Sequence, residues 1–145
     1  MIASERSDVL AEVIRYWLED PDSAVVYAEQ VESRWAVRMT QTVRDATTVW
    51  WNPGQRTVGM EAYLGPVPEH AAAELYRLLL VRNRDAWRCH FALDVEGGVV
   101  LRGRLANEAV TESTLDALLG ECYDLIERTF PPFVRLHRVK PPQVQ

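Results

Sequence analysis

Lysine is almost missing from this chain: Lys140 stands alone beside fifteen arginines. That usage fits a GC-rich bacterial genome and excludes no function. Cysteine is nearly as scarce, with Cys89 and Cys122 the full complement, which excludes a disulfide-stapled mini-protein. Apolar runs are short, Leu78-Leu79-Leu80-Val81 being the longest obvious one. Nothing approaches the roughly 20 residues of a membrane span. Met1 to Asp8 mix both charges and lack the apolar region of a signal peptide, so the expectation is a cytoplasmic protein with no membrane association. The seven glycines form no phosphate-cradling loop, since Gly97-Gly98 lies in a hairpin rather than between a strand and a helix. Gly-x-Ser-x-Gly is also absent, which weighs against an α/β-hydrolase elbow.

What is present describes one globular domain. The chain has 145 residues, 48% of them hydrophobic and 26% charged, with a net charge of −5. A chain of this length buries about 70% of its unfolded surface, enough for one core. Residues 7–19 read as an amphipathic helix, capped by Ser7, with Leu10, Val13, Ile14, Trp17 and Leu18 at helical spacing. Asp20-Pro21 stops it, because the residue before proline is pushed out of the α region.

The period then changes to two. Val25–Tyr27 reads as a short extended piece. Trp35, Val37 and Met39 alternate with Arg34, Ala36 and Arg38, and further strands follow at Val43–Trp51 and Thr57–Leu64. Asn52-Pro53-Gly54-Gln55 is the turn between the last two. A helix is expected from about Pro68 to Asp85, with Leu75, Leu78 and Leu79 on its apolar stripe. Cys89, Phe91 and Leu93 begin a hairpin that returns through Val99, Leu101 and Leu105 after Val95-Glu96-Gly97-Gly98. Thr111 caps a last helix, and Phe130-Pro131-Pro132 is expected to end it. The pattern is helix, three strands, helix, two strands, helix: an α+β two-layer domain, an antiparallel sheet with its helices on one face.

Leu75–Asn83, Phe91-Ala92-Leu93-Asp94 and Val99–Leu105 together resemble the YbjN family, particularly its actinobacterial members. Ala109-Val110-Thr111, Leu115–Gly120 and Thr57–Tyr63 extend the likeness to about residues 34–130. The resemblance implies a fold similar to type III secretion chaperones and a role as a sensory-transduction regulator. It carries no catalytic residues. The sequence departs from the family at Trp87-Arg88-Cys89-His90, where small or aliphatic residues are common, and in its basic, proline-rich tail.

Chemistry-bearing clusters are few. Cys89 and Cys122 fall in apolar stripes and read as small buried hydrophobes. His70 with Glu74, and His90 with Asp94, are pairs rather than the three or four ligands of a metal site. The expectation is no metal, no cofactor and no enzyme. The polar face of the sheet is more informative. By alternation Arg34, Arg38, Arg88, His90, Arg102 and Arg104 point away from the helices, with Tyr63 and, in one register of the Trp50-Trp51 pair, Trp50 beside them. Read plainly, this is a solvated face whose arginines pair with Glu61, Asp45 or Asp94. Read sharply, it is a recognition face, because Arg, Trp and Tyr are enriched at binding hot spots.

Charge is unevenly placed. Residues 1–130 hold all 21 acids and thirteen arginines, net −8, whereas residues 131–145 hold Arg135, Arg138 and Lys140 with no acid, net +3. The division expected is a domain over 1–130 and a basic tail over 131–145. The tail prolines, Pro131, Pro132, Pro141 and Pro142, argue against a helix there. Its apolar residues suit a strap docked on its own domain or on a partner. The negative total disfavours nucleic acid. The resulting expectation is a non-catalytic, chaperone-like or regulatory adaptor that binds a protein or peptide client and is able to form a homodimer. A regulator sensing a small anion through Arg88, His90, Arg102 and Arg104 is the alternative.

Overall fold

A computed structural model describes the backbone of residues 3–143 and the side chains of residues 8–143. Helix α1 spans Ala3–Glu19. Four strands follow: β1 Val25–Val31, β2 Arg34–Thr40, β3 Ala46–Pro53 and β4 Thr57–Gly65. Helix α2 covers Ala72–Asp85, and strands β5 Cys89–Leu93 and β6 Val99–Ala106 form the second hairpin. A single 3-10 turn at Asn107–Ala109 leads into the long helix α3, Glu112–Leu136. The six strands form one sheet in the order β1-β2-β3-β4-β6-β5, every neighbouring pair antiparallel. The α+β architecture read from the sequence is the one observed.

Alternation along the strands decides what is buried. Val37, Val49, Trp51, Met60 and Leu101 face the helices and are sealed from solvent. Leu10 and Ile14 of α1, Leu75 of α2 and Leu115, Leu118 and Ile126 of α3 complete the same cluster. Each such side chain contributes about 1.5–3 kcal/mol through burial. At Gly103 a side chain would meet α3, its Cβ lying 2.8 Å from Leu118 Cδ1. A glycine there lets the long helix lie close against the sheet.

Several boundaries differ from the sequence reading. Helix α1 starts at Ala3 instead of Ser7, whose side chain lies outside the described residues. The short piece at Val25–Tyr27 is a full strand, giving six strands rather than five. Strand β3 begins at Ala46 rather than Val43, because the N–H groups of Thr42 and Val43 donate to the Glu127 carboxylate instead of to a strand. Helix α2 begins at Ala72, four residues after Pro68, with its first bond from Leu75 N–H to Ala71 C=O at 3.0 Å. Thr111 does cap α3, in a reciprocal box with Thr114.

The largest correction concerns Pro131 and Pro132, which were expected to end the last helix and instead lie inside it. A proline removes the bond to the carbonyl four residues back. For Pro132 that carbonyl belongs to Arg128, and Arg82 Nη2 reaches it from α2 at 3.4 Å. Phe133, 3% exposed, packs on Gly65, and His137 Nε2 meets the Pro66 carbonyl at 2.8 Å. Tertiary contacts thus hold the helix through both prolines.

The two sheet edges differ. On β5, the Asn83 side chain accepts from Phe91 N–H at 2.8 Å and donates to Phe91 C=O at 3.1 Å. Among the described residues no side chain covers the β1 edge in this way, and Val26 and Tyr27 stand more than half exposed on it.

Candidate functional site

The outer face of the sheet is a lattice set by register. One cross-strand row runs Trp50, Glu61, Arg102, His90 over β3, β4, β6 and β5. A second contains Asn52, Gly59 and Arg104, and Arg34 joins it on β2, one residue on from the Trp35–Trp51 pair. Between these rows lies an open trough of about 1060 Å³. Gly59 forms part of its floor, where a Cβ would meet nothing nearer than 3.8 Å.

The structure brings together in this trough Arg34, Trp50, Arg88, His90, Arg102 and Arg104. Arg38 and Tyr63 share the outer face but lie outside it. Arg38 pairs across with Tyr27 and Thr48, and Tyr63 pairs with Val100 and lies against Gly98. The ambiguity at Trp50-Trp51 is resolved by burial: Trp51 is wholly enclosed, its ring 5.8 Å from that of Trp17, and Trp50 faces outward.

The arginines are held to different degrees. Arg102 Nε lies 3.1 Å from Glu61 Oε2, the pairing expected of a solvated face. Arg34 lies over the Trp50 ring, 4.6 Å from its centroid, and Arg88 over the exposed Trp87 ring at 4.7 Å. Arg88 is also 3.8 Å from Glu121. Among the described residues, the side chains of Arg104 and His90 make neither a hydrogen bond nor an ion pair. Glu61 is thus the one acid among four arginines and a histidine.

Glu121 was not visible as a functional residue in the sequence. Its Oε1 accepts from the backbone N–H groups of Trp87, Arg88 and Cys89 at 3.0, 2.7 and 3.0 Å, fixing the segment that carries Arg88 into the trough. Burial pushes its carboxyl up, but these donors outweigh burial and hold it below the ordinary range. Two turns further along α3, Glu127 does the same for another loop. Burial again opposes ionisation, and the Thr42 hydroxyl, the Thr42 and Val43 N–H groups and the Gln41 amide together pull the carboxyl down. Gly59 was also missed. The available signal was a glycine at an outward position of an otherwise regular strand.

The remaining candidates carry no chemistry of their own. Burial pushes the Cys122 thiol up to about 12 and raises that of Cys89, so both stay protonated. Asp94 Oδ1 accepts from the Glu96 and Gly98 N–H groups in the hairpin, each at 2.9 Å. His70 lies 3.8 Å from Glu69. Among the described residues no three His, Cys, Asp or Glu side chains gather as a metal site, and no helix is long and apolar enough to cross a membrane.

The fold of this chain is similar to solved structures of type III secretion chaperones and their complexes. One matching chain comes from the heterodimeric ExoU–SpcU complex of the Pseudomonas aeruginosa type III secretion system, with TM-score 0.59 and 16% identity over 84% of this chain and 95% of that one. Another comes from the Yersinia pestis chaperone SycH in complex with a fragment of YscM2, with TM-score 0.59 and 16% identity over 86% and 98%. At such identities the likeness is one of fold. The sequence pattern of the YbjN family, described as "Putative bacterial sensory transduction regulator", matches residues 10–135. The chain belongs to the YbjN family. Uncharacterised proteins of Mycobacterium bovis and Mycobacterium leprae are each 30% identical to it over 83 residues, 57% of this chain. That stretch covers 45% of those relatives, so the chain spans about half the length of the curated proteins it matches.

Proposed function

We propose that this chain is a non-catalytic adaptor of the cytoplasm that holds a segment of a client protein on the uncovered face of its sheet. The carrying observation is the trough itself: the helices seal one face of the sheet and leave on the other an open channel lined by Arg34, Trp50, Arg88 and Arg104. Arginine and tryptophan are the residue types that dominate binding energy at interfaces. The solved structures of similar fold are complexes of chaperones with partner proteins, which supports the same reading. The open β1 edge offers a strand-pairing surface beside the trough.

The test is recovery of partners from native cytosol with the intact chain and with an Arg34→Glu/Arg104→Glu variant. A partner enriched by the first and lost by the second supports the role. Absence of any enriched partner, or equal recovery by both, sinks it.

A second reading is a regulator that senses a small anion. The observation favouring it is that, among the described residues, the side chains of Arg104 and His90, on adjacent strands, have no hydrogen-bond or ion-pair partner. Thermal-shift measurements with phosphorylated metabolites and nucleotides should then raise the melting temperature, and reversing the charge at Arg102 should erase the rise. No shift with any of them removes this reading.

A further inference from the structure

The chemistry of the occupant follows from the spacing of the row that crosses the trough. Arg34, Asn52, Gly59 and Arg104 stand on β2, β3, β4 and β6, which are consecutive neighbours in the sheet. Three inter-strand steps of about 4.8 Å separate the two arginines by about 14 Å at the backbone. In an extended peptide, side chains on one side recur every second residue, so positions i and i+4 are about 13 Å apart. The intermediate position i+2 then falls over the middle of the row. That point lies between Asn52 and Gly59, where Gly59 contributes no side chain and Trp50 and Pro53 line the trough nearby.

We infer that the trough takes an extended acidic segment of a partner protein, with two carboxylates four residues apart and an apolar side chain midway between them. The segment lies across the strands, one carboxylate on Arg34, the other on Arg104, and the apolar side chain between Asn52 and Gly59, in the space left by the glycine. This deepens, and rests on, the client-holding role proposed above. Charge complementarity favours such an occupant. Residues 1–130 carry a net charge of −8, yet four arginines gather here with Glu61 the one acid in the lining, and only Arg88 has a further acid, Glu121, at 3.8 Å. At about 1060 Å³ the trough is large enough for several residues of an extended segment.

Fluorescein-labelled synthetic peptides test this on the full chain by anisotropy. The probe is Glu-Ser-Leu-Ser-Glu flanked by glycines; the controls are Glu-Ser-Glu-Ser-Leu, with the same composition and wrong spacing, and Lys-Ser-Leu-Ser-Lys. The expected result is binding of the probe at least about tenfold tighter than of either control, the scale of one charge-assisted contact. Arg34→Glu and Arg104→Glu should each lower affinity by a similar factor. Gly59→Leu, which fills the floor, should abolish binding while its melting curve stays that of the wild type.

The proposal is overturned if the two acidic peptides bind within about twofold of each other, since they differ only in the order of the same residues, which sets the glutamate spacing and the place of the leucine. It also falls if folded Gly59→Leu binds as well as wild type, or if inorganic phosphate displaces the probe as effectively as unlabelled peptide, which would make the trough a small-anion site. Loss of the spacing preference while a client is still captured through Arg34 and Arg104 refutes the motif alone. Absence of a client defeats the wider role.

Discussion

The two faces of the sheet are made from alternate residues of the same strands, and Trp50 and Trp51 show how far they diverge. Trp51 is fully enclosed against Trp17, whose Nε1 donates to Asp116 at 3.1 Å. Trp50 stands on the other side, partly exposed, with Arg34 lying over its ring. The side chains of the inner face are buried in one cluster with the helices and serve stability. The outer face leaves a glycine floor and, among the described residues, an Arg104 side chain without a partner, an arrangement that contributes little to folding.

The tryptophans give the largest expected contrast. Trp51→Ala should destabilise the fold by about 3–5 kcal/mol, whereas Trp50→Ala should cost about 1 kcal/mol or less and act on partner binding. Urea denaturation of both variants measures this, and comparable losses would erase the distinction between the faces. The glycines come next. A Cβ at Gly103 would lie 2.8 Å from Leu118 Cδ1 and 3.0 Å from the Arg88 carbonyl oxygen, so Gly103→Val should cost about 1–3 kcal/mol by overpacking. Gly59→Val, on the open face, should change stability by no more than about 0.5 kcal/mol in the same assay.

Acid should weaken the fold through α3. The folded protein binds the ionised forms of Glu121 and Glu127 and lowers both carboxyls from the ordinary 4.5. Their contribution is therefore complete above that value and is lost as pH falls through the lower folded one. Urea midpoints from pH 7 to pH 3 should fall at the acid end, and Glu121→Gln should flatten part of that fall. An unchanged acid limb in the variant would show that the three N–H donors do not favour the charged form. The smallest effect belongs to the Arg102–Glu61 pair, which is exposed and worth about 1 kcal/mol or less. Glu61→Gln should barely move the melting temperature but tighten binding of acidic peptides by removing the one acid in the trough. Weaker binding would mean that Glu61 positions Arg102 for the ligand.

Much of this was readable beforehand because strand geometry is local. A period of two places Arg34, Trp50, His90, Arg102 and Arg104 on one side of their strands once each register is known, whereas Arg88, expected on the same strand as His90, lies in the bend before β5 and is set there by Glu121. The same rule buries Cys89 while turning His90 outward. Which of these residues become neighbours was not readable. The β5–β6 hairpin docks through β6, so Arg102 and Arg104 meet Glu61 and Gly59 while His90 goes to the edge strand. Docking through β5 would have produced a different face from the same side chains. Arg38 and Tyr63 were grouped with the others by alternation, but their positions along the strands place them outside the trough.

Residue type and spacing were thus enough for the layers, the buried stripes and the orientation of the arginines, since these depend on backbone geometry within a few residues. Strand order, the trough over Gly59 and the course of α3 past Pro131 and Pro132 depend on groups far apart in the chain. Arg82 reaching the Arg128 carbonyl and Phe133 packing on Gly65 are contacts of that kind. A local rule ends the helix at proline; long-range packing and one guanidinium carry it on to Leu136.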